Sequence, residues 1–213
     1  MTNIDGRTGK PKIILHLCAD IGSDSYPYKK AGYDVRFVGK NIGVENFNAP
    51  DNVYGIFANP VCTEFSIASG FHKTGDHAEG LFLVNHCKRI INQCIQALKF
   101  WVIENPASGH LREYLGAPCM VYEPWQFGTP YTKKTALWDS FYKPFPKFTK
   151  WGAVPKNPNL YVRPNHGKPS LAFLHKSAKK HLPEFDPFTV SDDMSFRSLC
   201  SQGFAQAFFN FNQ

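Results

Sequence analysis

The sequence lacks the cysteine patterns that hold structural metals or form disulfide frameworks. Its six cysteines include no Cys-x-x-Cys pair, and no Cys/His spacing in the chain is typical of a zinc site. Most of the cysteines lie inside apolar segments, which is the usage expected of an intracellular protein. We therefore expect no metal site.

Long apolar runs are also missing. The apolar run 13–19 is too short to cross a membrane, and the residues before it are polar, unlike a signal peptide. This favours a soluble, cytoplasmic protein with no membrane partner. With 213 residues, 43% of them hydrophobic, the chain is long enough for one sizeable core. We expect a flexible tail, 1–11, followed by a single domain, 12–213.

Acidic residues are missing from the segment 140–183, which we call the basic segment. It carries nine Lys or Arg and no Asp or Glu, it is broken by six prolines before Pro183 ends it, and aromatic residues are interleaved with the cations. A solvated loop would more often carry both signs of charge. Cations suit phosphates and aromatic rings suit bases, so the segment predicts a nucleic-acid surface. The formal net charge of +7 points in the same direction.

Apolar runs of strand length alternate with helical patterns along the chain. This alternation predicts an α/β fold with a mostly parallel sheet and helices on both faces. No convincing strand lies between residues 40 and 53. The predicted strands are 12–18, 32–38, 53–58, 100–103 and 119–123; the predicted helices are a short one through 28–31, a long one within 77–99, a short one within 109–116 and a terminal one from Ser201.

Cys62 follows the apolar strand 53–58 and the turn residues Asn59 and Pro60. Its thiol is therefore expected just beyond the carboxyl end of a strand, where open parallel sheets bind their ligands. The ordinary alternative is a buried cysteine that packs as a small hydrophobe.

Glu104 occupies an equivalent place after the strand 100–103, where Glu104, Asn105 and Pro106 read as a turn. If the two strands are neighbours, a nucleophile and an acid share one edge of the sheet. Taken without Cys62, Glu104 would more simply be a turn acid or a helix N-cap.

The order and separation of these two motifs resemble those of the DNA cytosine-5 methyltransferases. That family carries a Pro-Pro-Cys loop followed by Phe-Ser, and later a Glu-Asn-Val or Glu-Asn-Pro turn. Here Cys62, Phe65 and Ser66 match the first motif, with Val61 in place of the proline next to the cysteine, and 104–106 matches the second.

The resemblance implies catalytic roles. Cys62 would add to C6 of cytosine and turn C5 into a carbon nucleophile, while Glu104 would hold and protonate N3. The segment 125–138 resembles the family's Pro-Gln-x-Arg-x-Arg strand, with Lys133 at the first Arg position, so Lys133 would contact the O2 side of the ring and nearby phosphate. The residues that would bind substrate are Phe65, Ser66, Asn105 and Thr135.

The resemblance also implies a Rossmann-like fold that binds S-adenosylmethionine. Its first motif, Asp-Leu-Phe-Ala/Ser-Gly-x-Gly-Gly, is matched in part, because His16 and Cys18 replace the acid and the Phe, and Asp20 and Ser23 replace two glycines. An ordinary buried strand and turn would give a similar pattern. The implied cofactor-binding residues are Leu17, Cys18, Ala19, Asp20, Ile21, Gly22, Asn59 and Pro60.

The acid that this family places at the end of the second strand is absent, because Gly39 and Lys40 stand there. Glu45 could swing in from the next loop to bind the ribose hydroxyls, or the cofactor site could be altered or lost.

These observations predict a small, phage-type or prophage-type DNA cytosine-5 methyltransferase in which the basic segment replaces a target-recognition domain. The segment 67–76 is expected to be a loop that covers the substrate. Two alternatives stay open: a homologue without catalytic activity that acts by binding DNA, and a pyrimidine-modifying enzyme that uses another donor or a free nucleotide.

Overall fold

A computed structural model describes residues 2–6, 8–63, 65 and 77–213. The expected substrate-covering loop, 67–76, lies outside this part of the chain.

Six strands form one mixed sheet. Their order across the sheet is β2-β1-β3-β4-β6-β5; β1 pairs in parallel with β2 and β3, β3 pairs in parallel with β4, and β6 runs antiparallel to both β4 and β5. Five strands thus point one way, and the antiparallel β6 makes the sheet mixed. The strands are β1 Ile13–Leu17, β2 Asp34–Val38, β3 Val53–Ala58, β4 Phe100–Pro106, β5 Met120–Tyr122 and β6 Thr135–Trp138.

Helices cover both faces of the sheet, as predicted. All five residues of β1 are buried, as expected for a strand between two helical layers. Ile13, Leu15 and Leu17 face the core that contains α2, and Ile14 faces the core that contains α1 and α5. The helices are α1 Tyr26–Lys30, α2 Ala78–Cys94, α3 Arg112–Leu115, α4 Asp193–Ser198 and α5 Gln202–Asn212.

The terminal helix α5 begins as predicted. The side chain of Ser201 is its N-cap and accepts a hydrogen bond from the Phe204 amide. The absence of a strand between residues 40 and 53 is also confirmed.

The strand β4 is longer than the sequence predicts. Glu104, Asn105 and Pro106, expected to form a turn, belong to the strand and pair with Leu137, Ala136 and Thr135 of β6. The local pattern could not show this extension, because the partner strand lies about thirty residues further along the chain. Glu104 is consequently held on a strand, and strands hold side chains more rigidly than turns do.

The amino-terminal residues, expected to be a flexible tail, contact the domain. The Asn3 amide donates a hydrogen bond to the Gly32 carbonyl, and Asn3 O accepts one from the Lys12 amide. Ile4 and Pro11 form a β-bridge. These bonds place the tail beside the start of β1 and the turn before β2.

The basic segment folds back on the domain instead of extending into solvent. Leu160, Leu171, Leu174 and Leu182 are buried in a third apolar core together with Tyr131. Short 3-10 turns carry the chain around this core, because the prolines interrupt longer helices. The cations of the segment are therefore presented from an ordered surface.

No helix formed by the described residues is both long and apolar enough to span a membrane.

Glu184 ties this third core to the start of α5. Its carboxylate accepts hydrogen bonds from the Tyr131 hydroxyl at 3.1 Å and from the Gln202 amide at 3.0 Å. Burial raises the pKa of Glu184 to about 7, although these hydrogen bonds oppose the shift.

Glu184→Gln should flatten the pH dependence of stability. Between the ordinary carboxyl pKa of 4.5 and about 7, folded Glu184 keeps a proton that the unfolded chain has released. The free energy of unfolding therefore falls as the pH rises through this range, by up to roughly 3 kcal/mol from this residue. Urea unfolding of both proteins at pH 4.5 and pH 8 measures this contribution. An unchanged difference between the two pH values would show that Glu184 titrates normally.

Candidate active site

The order in which successive strands join the sheet reverses at β1. The chain runs from β1 to β2 on one side and returns to β3 on the other side. In open α/β sheets such a reversal marks the ligand-binding place at the carboxyl ends of the strands, which we call the crevice. Ala58, the last residue of β3, pairs with Ile103 of β4. Cys62, which follows β3, and Glu104, which follows Ile103, therefore lie at the same edge of the sheet.

Cys62 lies on a loop fixed at both ends. The Asn105 amide group donates to the Pro60 carbonyl at 3.0 Å, and the Phe65 amide donates to the Cys62 carbonyl at 3.1 Å. The Cys62 side chain is exposed, so it is not the buried hydrophobe of the ordinary alternative. Desolvation raises the pKa of Cys62, the Glu104 charge raises it further, and the Lys133 charge lowers it.

Glu104 has the acidity of a proton donor that works near neutral pH. Burial raises the pKa of its carboxyl to about 7; the Asp24 charge adds to the shift, while the Lys133 charge and a hydrogen bond from the Asn59 side chain oppose it. A carboxyl with this pKa is about half protonated at pH 7, and general acids work best when their pKa lies near the operating pH.

A chain of polar side chains runs from Glu104 into the sheet. Asn59 Oδ1 lies 2.9 Å from His16 Nε2, and His16 Nδ1 lies 2.9 Å from Ser25 Oγ. Because the Asn59 amide nitrogen donates to Glu104, its oxygen faces His16, and this assigns the imidazole proton to Nε2. Burial lowers the pKa of His16, so the ring is neutral, and its Nδ1 faces the Ser25 hydroxyl, which also lies 3.3 Å from the Gly22 carbonyl.

Three members of this site were not predicted. Asp24 Oδ2 lies 3.7 Å from His16 Nε2, and its charge acts on Glu104. The signal for His16 was available, since it is the one polar residue in an otherwise apolar strand. Nothing in the sequence marks Ser25 or Asp24, because they follow the strand in a polar turn.

Lys133 acts on the site electrostatically. Its ammonium group donates to the carbonyls of Ser198 at 3.0 Å and Leu199 at 3.1 Å, at the carboxyl end of α4, where cations are favoured. The same charge lowers the pKa of both Cys62 and Glu104. Direct contact of Lys133 with a pyrimidine ring stays a prediction.

The predicted substrate-binding residues lie beneath the site. Phe65 and Asn105 are fully buried and Thr135 is 1% exposed, so none presents surface to a substrate. Asn105 fixes the Cys62 loop, and Thr135 donates to the Lys133 carbonyl at 3.0 Å. These side chains therefore position the reactive groups. Ser66 lies outside the described residues.

The loop after β1 has the backbone conformation of a tight turn. Cys18 has a φ of 55° and Gly22 a φ of 72°. A side chain at position 22 would overlap the Phe37 ring, so the glycine is required by both its dihedral angle and its packing. Leu17, by contrast, is fully buried in the core below this loop.

An acid does lie at the end of β2, but it comes from a different residue than expected. A Cβ at Gly39 would overlap the Asp20 carboxylate, so this carboxylate occupies the space that a side chain at position 39 would fill. Asp20 is exposed. Glu45, one of the two alternatives left open by the sequence, lies beside Gly43 and accepts a hydrogen bond from the Asn46 side chain. The carboxylate beside the end of β2 is therefore that of Asp20 and not that of Glu45.

The remaining residues predicted to bind the cofactor lie on the loop after β1 and on the loop after β3. Ala19 and Ile21 are half-buried on the loop after β1, and Ile21 packs against the third core. Asn59 belongs to the polar chain, and Pro60 is buried below Cys62.

The described residues contain no group of three or more His, Cys, Asp or Glu side chains arranged to hold a metal ion. All six cysteines are free thiols. No known protein-family model matches this chain, and no curated protein is significantly similar to it.

Proposed function

We propose that the protein is a DNA cytosine-5 methyltransferase. One observation carries the proposal: an exposed Cys62 thiol shares an edge of the sheet with Glu104, a carboxyl whose pKa is about 7. A thiol nucleophile beside a carboxyl that is protonated near neutral pH is the pair needed to activate a pyrimidine ring at C5.

The residues would act in the following order. The Cys62 thiolate adds to C6 of a cytosine swung out of its strand, while the Glu104 carboxyl donates a proton to N3, so that the ring electrons move to C5 instead of building charge on the ring. When bound, S-adenosylmethionine would supply the methyl group for C5 and leave as S-adenosylhomocysteine. Loss of the C5 proton to solvent, return of the N3 proton to Glu104 and departure of Cys62 from C6 as a thiolate then restore the aromatic ring and the free enzyme.

The crevice has features that fit S-adenosylmethionine. The Asp20 carboxylate lies at the end of β2, where it would accept hydrogen bonds from the ribose hydroxyls. The turn from Cys18 to Gly22 brings backbone to the carboxyl end of β1, beside Asn59. The parallel order β2-β1-β3-β4 supports a Rossmann-like fold for this half of the sheet.

DNA is the substrate that the charge distribution favours. The basic segment presents its cations from a packed, ordered surface. Free nucleotides would not need a surface of this extent, because the phosphate charge of a long polyanion is what many cations neutralise.

A second candidate is a DNA-binding homologue without methyl transfer. It is favoured by the residues Cys18 and Ser23, which replace a Phe and a glycine of the family's cofactor motif. Calorimetric titration with S-adenosylmethionine and S-adenosylhomocysteine separates the two. Micromolar binding of both supports the enzyme, and DNA binding without cofactor binding supports the homologue.

The proposed reaction is tested by its product. The purified protein is incubated with S-adenosylmethionine carrying a labelled methyl group and with DNA of mixed sequence, and the DNA is digested to nucleosides. We expect the label in 5-methyldeoxycytidine. Label in another nucleoside, or none in DNA under conditions where the cofactor binds, would contradict the proposal.

A further inference from the structure

A cavity of about 490 Å³ is lined mainly by the basic segment, and none of its described lining residues belongs to the Cys62 loop. Its volume lies within the range of ordinary ligand pockets. The side chains that give its walls their character are Trp151, Tyr161, Phe173, Arg163, His166 and Lys168.

The aromatic walls are partly exposed to solvent. Phe173 is 49% exposed and Tyr161 is 57% exposed, although large aromatic side chains are normally covered. Trp151 forms a third, half-buried wall. Exposed rings around one cavity are typical of sites that stack nucleic-acid bases.

Cations lie directly on these rings. The Arg163 guanidinium carbon is 4.1 Å from the centroid of the Phe173 ring, and Lys168 Nζ is 5.5 Å from that of Trp151. No lining residue among the described ones is acidic. A ligand would therefore meet a stacking surface and a positive charge together, which suits a base attached to a phosphate.

The cavity adjoins the candidate active site through one stretch of chain. Thr132, which lines the cavity, pairs with Ser170 in a β-bridge, and its amide donates to the Pro169 carbonyl at 2.9 Å. The next residue, Lys133, acts by its charge on Cys62 and Glu104.

We infer that this cavity binds one unpaired nucleotide of the substrate strand, with its base against the aromatic walls and its phosphate at Arg163 and Lys168. Stacking on the walls requires a base that is not covered by its neighbours in a duplex. The protein should therefore bind single-stranded or locally unpaired DNA more tightly than a perfect duplex. The relation of this nucleotide to the target cytosine rests on the proposed function, whereas the binding itself does not.

The test uses fluorescence anisotropy of a labelled single-stranded oligonucleotide, without cofactor, at several salt concentrations. Phe173→Ala should weaken binding about tenfold and leave the salt dependence unchanged, because a stacking contact is lost. Arg163→Gln should weaken binding and reduce the slope of log K against log salt by about 0.7, because one phosphate contact is lost. Phe145→Ala is the matched control, since Phe145 is 78% exposed in the same segment but does not line the cavity; it should bind like the wild type.

Three results would overturn the inference: equal affinity of Phe173→Ala and the wild type, tighter binding of the perfect duplex, or full competition by a mononucleotide at the affinity of the oligonucleotide. The two proposals fail separately. If Phe173→Ala binds more weakly but the wild type transfers no methyl group, the nucleotide pocket is supported and the proposed enzyme activity is contradicted. If the wild type transfers methyl groups but Phe173→Ala binds unchanged, the enzyme activity is supported and the pocket is contradicted.

Discussion

Cys62→Ala is expected to lower methyl transfer to cytosine by roughly 10⁴-fold or more, because C5 stays unreactive when no nucleophile adds to C6. The Cys62 side chain is exposed, so its removal should leave folding unchanged. DNA affinity should also be retained, since the thiol carries no charge that pairs with phosphate. Methyl transfer is measured as labelled methyl groups in DNA, next to a thermal unfolding curve and an anisotropy titration of each protein.

The matched control for this experiment is Cys94→Ala. Cys94 is half-buried at the end of α2, where its thiol donates to the Ile90 carbonyl, and it belongs to the core below the sheet. This variant should retain wild-type transfer with a modest loss of stability. Transfer that survives in Cys62→Ala would contradict the covalent mechanism, and transfer lost equally in both variants would point to a general effect of removing a thiol.

Glu104→Gln is expected to lower kcat by about 10²- to 10⁴-fold, the usual contribution of a general acid. A glutamine can still donate a hydrogen bond to N3, but it has no proton to give up. The substitution should not unfold the protein, because it removes a carboxyl whose ionisation burial disfavours.

The pH profile gives this prediction a second readout. In the wild type, transfer requires ionised Cys62 and protonated Glu104, and the pKa of Glu104, about 7, lies below the raised pKa of Cys62. The rate should therefore rise with pH up to about 7 and then level off, because further ionisation of Cys62 is offset by loss of the Glu104 proton. In Glu104→Gln the low residual rate should continue to rise above pH 7.

Glu184→Gln is the matched control for the pH profile. The pKa of Glu184 is also about 7, but its carboxylate binds Tyr131 and Gln202 instead of facing the crevice. Its activity profile should follow that of the wild type, although its stability profile changes. If the rate of Glu104→Gln also levels off near pH 7, a group other than Glu104 causes the change in slope.

The sequence predicted the layers of the fold but not the full pairing of its strands. Continuous apolar runs identified β1 and β3, and the helical spacing of apolar residues identified α2, because burial on both faces or on one stripe leaves a local pattern. The prediction of a turn at 104–106 was wrong. These residues extend β4, because they pair with β6, a strand in a distant part of the chain. The tail and the basic segment could not be placed for the same reason.

The candidate site shows a similar division. Cys62 and Glu104 could be located because each follows an apolar run, and strand ends meet at one edge of a parallel sheet. The bridge from Glu104 to His16 through Asn59, and the acid over Gly39, depend on side chains from different strands that meet only in the folded protein. Sequence spacing alone therefore offered Glu45 or an altered site as alternatives, and could not show that the carboxylate of Asp20 lies at the end of β2.

The central claim, a covalent bond between Cys62 and C6 of cytosine, can be measured directly with DNA that contains 5-fluorocytosine. After methyl transfer, fluorine at C5 cannot leave as a proton does, so the protein should stay bound to the DNA. We expect a complex that survives denaturation, requires S-adenosylmethionine, and has the mass of the protein plus the oligonucleotide plus one methyl group. After proteolysis and nuclease digestion, the modified nucleotide should lie on the peptide that contains Cys62. A complex attached to another residue, or no complex under conditions where ordinary DNA is methylated, would contradict the mechanism.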